Sequence, residues 1–335
     1  MTRTQPVRFT IVTGVALMFV LSLTQDVRAQ AWVPAKGEGA VSVAFQNMNV
    51  RDHILTTTWV DVGHIDTSVL VADITYGLTD KIAVDLAVPF VTSKYSGTRP
   101  HPTSLDDGTY HSTFADFRFA VRYNLKRGGT VITSYIGTVV PSHNYEFFAH
   151  SAPGEQLNEL QVGAYVAKLF DRGVPGLFVS GRYGYGFAEQ VLDISHNRSI
   201  GDLEVGYFVT PALRAFVIGN AQYTHGGIDL PVGGLAALPP PYRPVHDQID
   251  RAHHLNLGGG AAYSLTDTVD LFGSFVRTVT GRNEHALNRA ITIGASWSFM
   301  RKKNPPDTVA ASSRLPATAK QEASLLRCIC QKSGS

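Results

Sequence analysis

From Val41 to Phe299 one unit recurs along the chain: a run of about ten residues with an apolar side chain at every second position, closed alternately by a short turn and a long polar segment. Period two sends successive side chains to opposite faces of an extended strand, so each run carries one apolar face and one polar face. Val41, Val43 and Phe45 share a face in the first run, Leu70, Ala72, Ile74 and Tyr76 in the second, and Ile82, Val84, Leu86, Val88 and Phe90 in the third. In the fourth, Phe117, Phe119, Val121, Tyr123 and Leu125 alternate with Asp116, Arg118, Ala120, Arg122 and Asn124. The pattern returns over residues 177–187, 203–209, 255–265 and 291–299, and less distinctly around Ile132, Val162, Phe216 and Phe272. The total is twelve strands, an even number that puts both ends of the sheet on one side.

A soluble sandwich also alternates, and two features argue against it. The segments at residues 77–80, 126–129, 171–176, 210–213 and 265–268 are short, whereas those between them run from about 8 to 25 residues. Strict alternation of short turns with long loops is the signature of a transmembrane barrel, with the turns on the periplasmic side. Aromatic residues also end the apolar faces, as at Tyr76, Phe90, Tyr123, Phe187, Tyr207, Tyr263 and Phe299, in keeping with interfacial girdles. The expected fold is therefore all-β: a transmembrane antiparallel up-and-down β-barrel of about twelve strands, spanning residues 32–300 and facing outer-membrane lipid.

The first 31 residues have the form of a cleaved signal peptide. Arg3 and Arg8 precede an apolar run over residues 9–23, and Ala29-Gln30-Ala31 supplies a small-x-small cleavage site. That run is shorter than the roughly 20 residues a spanning helix needs and is broken by Thr10, Thr13 and Ser22. At the other end, Ala295-Ser296-Trp297-Ser298-Phe299 has the look of the terminal strand read by the barrel-insertion machinery. The segment after it, residues 301–335, has the composition of a disordered periplasmic tail and holds the only two cysteines, Cys328 and Cys330. A formal net charge of +2, from 29 basic and 27 acidic residues, leaves no field that would favour nucleic acid.

With the strands mapped, three passages resemble the outer-membrane protein family associated with meta-pathway phenol degradation, whose members are described as transporters. They are Trp32-Val33-Pro34 leading into Gly37-Glu38-Gly39, the turn Tyr76-Gly77-Leu78-Thr79-Asp80, and the strand ending Ala87-Val88-Pro89-Phe90. The resemblance implies passage of small, often aromatic or hydrophobic compounds across the outer membrane, and it supplies no catalytic residues and no cofactor.

Charged residues on the lumen face are the candidate site, because lumen substitutions tune selectivity while charge on the lipid face is costly. Asp73, Asp85 and Arg122 fall at similar depth on neighbouring strands, and Arg182, Asp202 and Glu204 form a comparable set farther round; Asp116 and Arg118 lie on the same face as Arg122. These residues either brace the wall as ion pairs or set a pore-lining constriction. All twelve histidines (His53, His64, His101, His111, His143, His150, His196, His225, His246, His253, His254 and His285) fall in outer loops or at outer strand ends. Their spacings match no metal motif, and none is assigned as a ligand. The segment over residues 226–251, with Leu238-Pro239-Pro240-Pro241, is long enough to fold into the mouth, where polyproline II geometry would stiffen it. Only about nine residues separate the cleavage site from the first strand, too few for an N-terminal plug of the kind found in long-chain fatty-acid transporters.

The expected function is passive diffusion of a small, unidentified substrate, aromatic or hydrophobic compounds included, through the lumen. A structural or adhesive barrel with a packed lumen stands as the alternative, with a lipid-modifying enzyme behind it. Ser142 with His143 and Ser195 with His196 are neighbours in sequence, an arrangement that strand geometry would point apart, so no catalytic residue is assigned.

Overall fold

The computed structural model describes residues 31–299. The leader up to Gln30 and the tail with Cys328 and Cys330 lie outside the described residues. Thirteen strand segments follow one another: β1 (Gly39–Leu55), β2 (Thr58–Gly77), β3 (Ile82–Ser96), β4 (His111–Phe114), β5 (Phe117–Lys126), β6 (Thr130–Val140), β7 (Glu159–Leu169), β8 (Leu177–Ala188), β9 (His196–Phe208), β10 (Leu213–Gly226), β11 (His253–Ser264), β12 (Val269–Arg282) and β13 (Glu284–Phe299). β4 and β5 are two halves of one stave, both paired to β3 and interrupted at Ala115-Asp116, so the wall has twelve staves.

Each stave pairs antiparallel with its sequence neighbours, and β1 takes β2 on one side and β13 on the other, closing the sheet. Gly39 lies opposite Phe299 on one flank and Tyr76 on the other, so the first and last staves begin and end level. Closure leaves no open edge. That is what lipid demands, since hydrocarbon offers nothing to an unpaired N–H or C=O.

The apolar faces read from the sequence point outward. Val43, Leu70, Ile74, Phe119, Val121, Tyr123, Leu203, Tyr207, Tyr263 and Trp297 are all exposed, whereas the alternate positions Ser42, Gln46, Arg122, Asp202 and Thr292 are buried in the lumen. In the staves of indistinct pattern, Ile136 and Val162 face outward, but Phe272 is buried inside with Ala44 and Ala262, and Phe216 packs against that group. The rings fit because glycines lie beneath them. A Cβ on Gly294 would stand 2.2 Å from Phe272 Cζ, and one on Gly260 2.8 Å from the Phe216 ring.

Three of the five short turns share a device. Thr79 Oγ1 accepts from the N–H groups of Lys81 and Ile82 at 3.1 and 2.9 Å, and Thr210 and Thr266 repeat this toward Ala212 and Leu213 and toward Thr268 and Val269. A hydroxyl that satisfies two N–H groups this way closes a turn without glycine.

The outer ends depart from expectation. Two of the six outer connections are tight hairpins instead of long loops: β1 and β2 continue until Leu55 faces Thr58, and β12 joins β13 through Asn283 alone. The pairing carries on past the apolar faces because polar strand residues can still ladder in water. Residues 97–110, 141–158 and 227–252 form the long outer loops, and 189–195 a shorter one.

Replacing Gly294 with Val should strand the Phe272 ring against the wall. Overpacking of this kind costs about 1–3 kcal/mol, and the folded barrel should convert to the unfolded form at lower temperature in a heat-modifiability gel.

Candidate functional site

Near the periplasmic end of the lumen, Arg122 is 2% exposed and grips Asp85 in a two-pronged pair, Nε to Oδ2 at 2.7 Å and Nη2 to Oδ1 at 2.8 Å. Thr75 Oγ1 donates a further bond to Asp85 Oδ1 at 2.6 Å. Arg122 Nη1 reaches the Trp32 carbonyl at 3.4 Å, and the Thr133 hydroxyl donates to the Ala31 carbonyl. Ala31 and Trp32 pack with Val131, Tyr135, Tyr165 and Ala167 inside the barrel. The few residues before β1 therefore do enter the lumen. They form no folded plug, but a short apolar segment packs there because the aromatic pair Tyr135–Tyr165, with ring centroids 4.9 Å apart, meets it on the same side, on β6 and β7.

Higher up, Arg182 and Asp202 stand directly opposite on β8 and β9 and pair at 2.6 Å, and Asn220 Nδ2 donates to the other Asp202 oxygen, also at 2.6 Å. Glu204 is buried one inward position below Asp202. Asp73 and Arg118 approach as opposite charges from β2 and β5. Asp73 is thus set toward Arg118, while Asp85 holds Arg122. Asp116, in the break between β4 and β5, accepts from the Tyr145 hydroxyl.

A further group was not singled out from the sequence: Arg198 on β9 meets Glu155 through two bonds of 3.0 and 2.6 Å and pairs with Glu159. Arg198 shares the inward face of Asp202 and Glu204 at even spacing, so the alternation would have exposed it had the stave been traced back to His196.

Asp116, Arg118, Glu155, Glu159, Arg198 and Asp202 border an interior cavity of about 560 Å3 in the outer half of the lumen. One side is largely apolar, with Met48, Val69, Pro89 and Val91 on β1 to β3. The other is polar, with Glu159, Arg198, Asp202, Asn220 and Asn256 on β7 to β11.

The cavity is roofed by the loop over residues 227–252 and the loop over residues 141–158. The first carries 3-10 turns at Leu235–Ala237 and Pro240–Val245 and a short helix, α1, at His246–Ile249. Polyproline-like angles occur at Leu238 and Pro239, and the prolines after them bend into the 3-10 turn, since a proline φ serves either form.

Asn283, with no exposure at all, anchors this roof. Its Oδ1 accepts from Thr56 N at 2.8 Å and Leu230 N at 3.0 Å; its Nδ2 donates to Asp229 Oδ1 at 3.1 Å and lies 3.3 to 3.4 Å from the Arg251 and Ile228 carbonyls. Arg282 adds an ion pair to Asp229 at 2.7 Å. Gln248 Nε2 then ties α1 to the Glu155 carbonyl at 2.7 Å.

The second loop is tied to residues 97–110 through Asp106. Its carboxylate accepts from the backbone N–H groups of His101, His150 and Ser151 and from the Ser151 hydroxyl at 2.9 to 3.1 Å. Burial opposes ionisation of Asp106, but these bonds and the His101 ring hold its carboxyl well below the usual range.

Although sequence spacing assigned no histidine to a metal, the fold gathers five of the twelve at this mouth. Ring centroids are 4.2 Å apart for His53 and His285, 4.1 Å for His101 and His150, 5.4 Å for His101 and His246, and 5.8 Å for His150 and His285. They come from β1, β13 and three different loops, so no linear motif could have announced them. Burial, reinforced by His285 and His101, pushes His150 down to about 3. Burial opposes charge on His246 too, but the Asp247 carboxylate at 3.1 Å raises it.

No family model matches this chain, and no curated protein matches it. Among solved structures, the crystal structure of the COG4313 outer membrane channel from Pseudomonas putida F1 is similar over 81% of this chain and 98% of its own, with a TM-score of 0.62 and 15% identity. The NanC porin, at 10% identity, and the beta domain of the Bordetella autotransporter BrkA, at 9%, each give a TM-score of 0.46 and cover 77% and 79% of this chain and 98% and 100% of theirs.

The fold is that of an outer-membrane channel.

The serine–histidine neighbours also needed correction. Ser142 Oγ lies 2.8 Å from His143 Nδ1, because residues 141–144 leave strand geometry. The serine hydroxyl, however, donates to the Phe114 carbonyl at 2.9 Å, so it receives the Nδ1 proton and does not give one up. His143 Nε2 then meets the Thr113 hydroxyl at 3.1 Å, where a triad would have a carboxylate. The pair closes the wall beside β4 and is not arranged to activate the serine.

Asn283→Ala should release the roof. It removes the side-chain acceptor of the Thr56 and Leu230 N–H groups and one donor to Asp229, and leaves alanine at a φ of 46°. At about 1–3 kcal/mol for a buried group left unpaired, the loop over residues 227–252 should open roughly 100-fold more often. Trypsin cleavage at Arg251 should speed up while the barrel's own melting stays near that of the unmodified protein.

Proposed function

We propose that this chain is a channel in the outer membrane of a Gram-negative bacterium, admitting small solutes by passive diffusion, aromatic and other weakly polar compounds among them. The divided cavity carries this reading. An apolar wall on β1 to β3 facing a polar wall on β7 to β11 suits a molecule with a flat hydrocarbon face and one or two hydroxyl or carboxyl groups. A structural barrel would fill that space with interlocking side chains, as small barrels do.

In this mechanism the outer loops admit solute to the cavity, and the paired charges below set what proceeds. Arg182 and Asp202 narrow the passage from β8 and β9, and Arg118 with Asp73 narrows it from β5 and β2. Glu204 and Asp116 contribute negative charge at the margins. The Arg122–Asp85 pair and the Trp32 segment form the last constriction before the periplasm. No covalent step is involved, and the rate is set by fit and by charge along the path. The cleaved leader, recognition of the strand ending at Phe299 by the insertion machinery, and kinship with the phenol-degradation family belong to the same proposal.

Single-channel recording of the refolded protein, residues 32–335, in planar bilayers tests it. Discrete conductance steps are expected. Arg182→Ala should leave Asp202 in net negative surroundings and shift selectivity toward cations. Arg122→Ala should change conductance, and if permeation holds while heat stability falls, Arg122 is a brace and not part of the passage. Absence of any conductance in the parent protein, with the wall folded, would favour the packed structural barrel.

A further inference from the structure

Five imidazoles at one mouth are costly unless something satisfies them. Burying an imidazole nitrogen without a partner forfeits its hydration, so native structures seldom leave one bare. Here His285 Nε2 and His150 Nδ1 are both buried without a hydrogen-bond partner. His150 turns its other nitrogen to the Arg99 carbonyl at 3.0 Å, which makes Nε2 the protonated atom and Nδ1 a free lone pair.

Two subsets bring a carboxylate and two imidazoles within 4.8 Å of one another: His53 with Asp247 and His285, and His101 with Asp106 and His150. The second is already occupied. Both Asp106 oxygens accept bonds that knit two loops together, and His101 Nδ1 is engaged with it at 3.2 Å.

The first is different. Asp247 gives Oδ1 to His246, whose other nitrogen bonds the Arg243 carbonyl at 2.9 Å, so the carboxylate is oriented from behind and keeps Oδ2 for another partner. His53, Asp247 and His285 all border the cavity. Outer partners that fix a ligand's orientation are the usual support of a metal site.

We propose that His53, Asp247 and His285 bind a divalent transition-metal ion of the zinc class, which fastens α1 of the roof to staves β1 and β13. Two imidazole nitrogens and one carboxylate oxygen form a set that takes zinc, copper or nickel, whereas calcium and magnesium call for oxygen alone. Ligands about 2.1 Å from a tetrahedral ion stand about 3.4 Å apart, so modest side-chain rotations bring these atoms to bonding distance. Solvent in the cavity completes the coordination. Because the carboxylate rides on the roof and the imidazoles on the wall, the ion would hold the mouth closed.

The test uses the full refolded chain with Cys328→Ser and Cys330→Ser, so that thiols do not compete, titrated with zinc chloride against a chromogenic chelator. One ion per chain is expected, with His285→Ala and Asp247→Asn each weakening it at least about tenfold and His143→Ala, at the rim outside the cluster, leaving it unchanged. Zinc should also slow trypsin cleavage at Arg251 in the parent and not in Asp247→Asn, a change confined to the roof loop that leaves the barrel wall itself intact. Equal binding by a His53→Ala/His285→Ala double variant, or no binding by the parent, overturns the site. Binding is read without reference to transport, so a chain that conducts but takes no zinc refutes this inference alone, and one that takes zinc but does not conduct refutes only the channel.

Discussion

A sheet immersed in hydrocarbon can leave no backbone group unpaired, and everything else in this molecule answers to that demand. The pairing of β13 with β1, from Gly39 opposite Phe299 up to Ile54 opposite Glu284, turns a meander into a closed wall. Once closure is imposed, side chains have only two places to go. Alternate positions must be apolar to meet lipid, which releases the other half to be as polar as the lumen can neutralise. Arg122, Arg182 and Asp202 can be buried at all because each meets an opposite charge or a hydrogen-bonding amide on a neighbouring stave. At the break at Ala115-Asp116 the wall is interrupted between β4 and β5, and residues 141–144 cover it from the lumen's outer end, with Ser142 bonded to Phe114.

Polar filling of the lumen also explains its unequal halves. Toward the periplasm, Phe216, Phe272 and the Tyr135–Tyr165 pair lie flat over glycines or against the Trp32 segment, keeping the bore narrow with rigid rings. Toward the outside, the rings give way to shorter side chains and the cavity opens, roofed by loops rather than filled. A narrow lower half and a covered upper half divide the lumen into two distinct zones.

How much of this was readable in advance follows from the physics of each part. The wall was legible because period-two alternation is a local signal, repeated in every stave; Phe119, Val121 and Tyr123 could face only lipid if Arg118 and Arg122 were to face inward. The Arg182–Asp202 pair was legible for the same reason, since cross-strand neighbours follow from register. The outer ends were not. Strand residues beyond the apolar band carry no alternation, so β1 and β2 read as a loop where they form a hairpin, and Arg198 was lost with the upper part of β9. The histidine cluster was further out of reach, because His53, His101, His150, His246 and His285 meet only after three loops fold over a barrel already closed. Phe216 and Phe272 gave no clear face for a different reason: an aromatic residue is ambiguous until the glycine beneath it is known.

Asn283 carries a last consequence, for the order of assembly. It sits in the hairpin joining β12 to β13 and bonds Thr56 in the hairpin joining β1 to β2, a bond that crosses the seam between the first and last staves, while its bond to Leu230 reaches the roof. The loop over residues 227–252 springs from β10 and β11, beside β12, and docks onto both hairpins at once. Its docking surface therefore does not exist until the seam has zipped to its outer end. In a chain that enters the membrane stave by stave, the roof settles last, and its settling marks a barrel that has closed in the correct register.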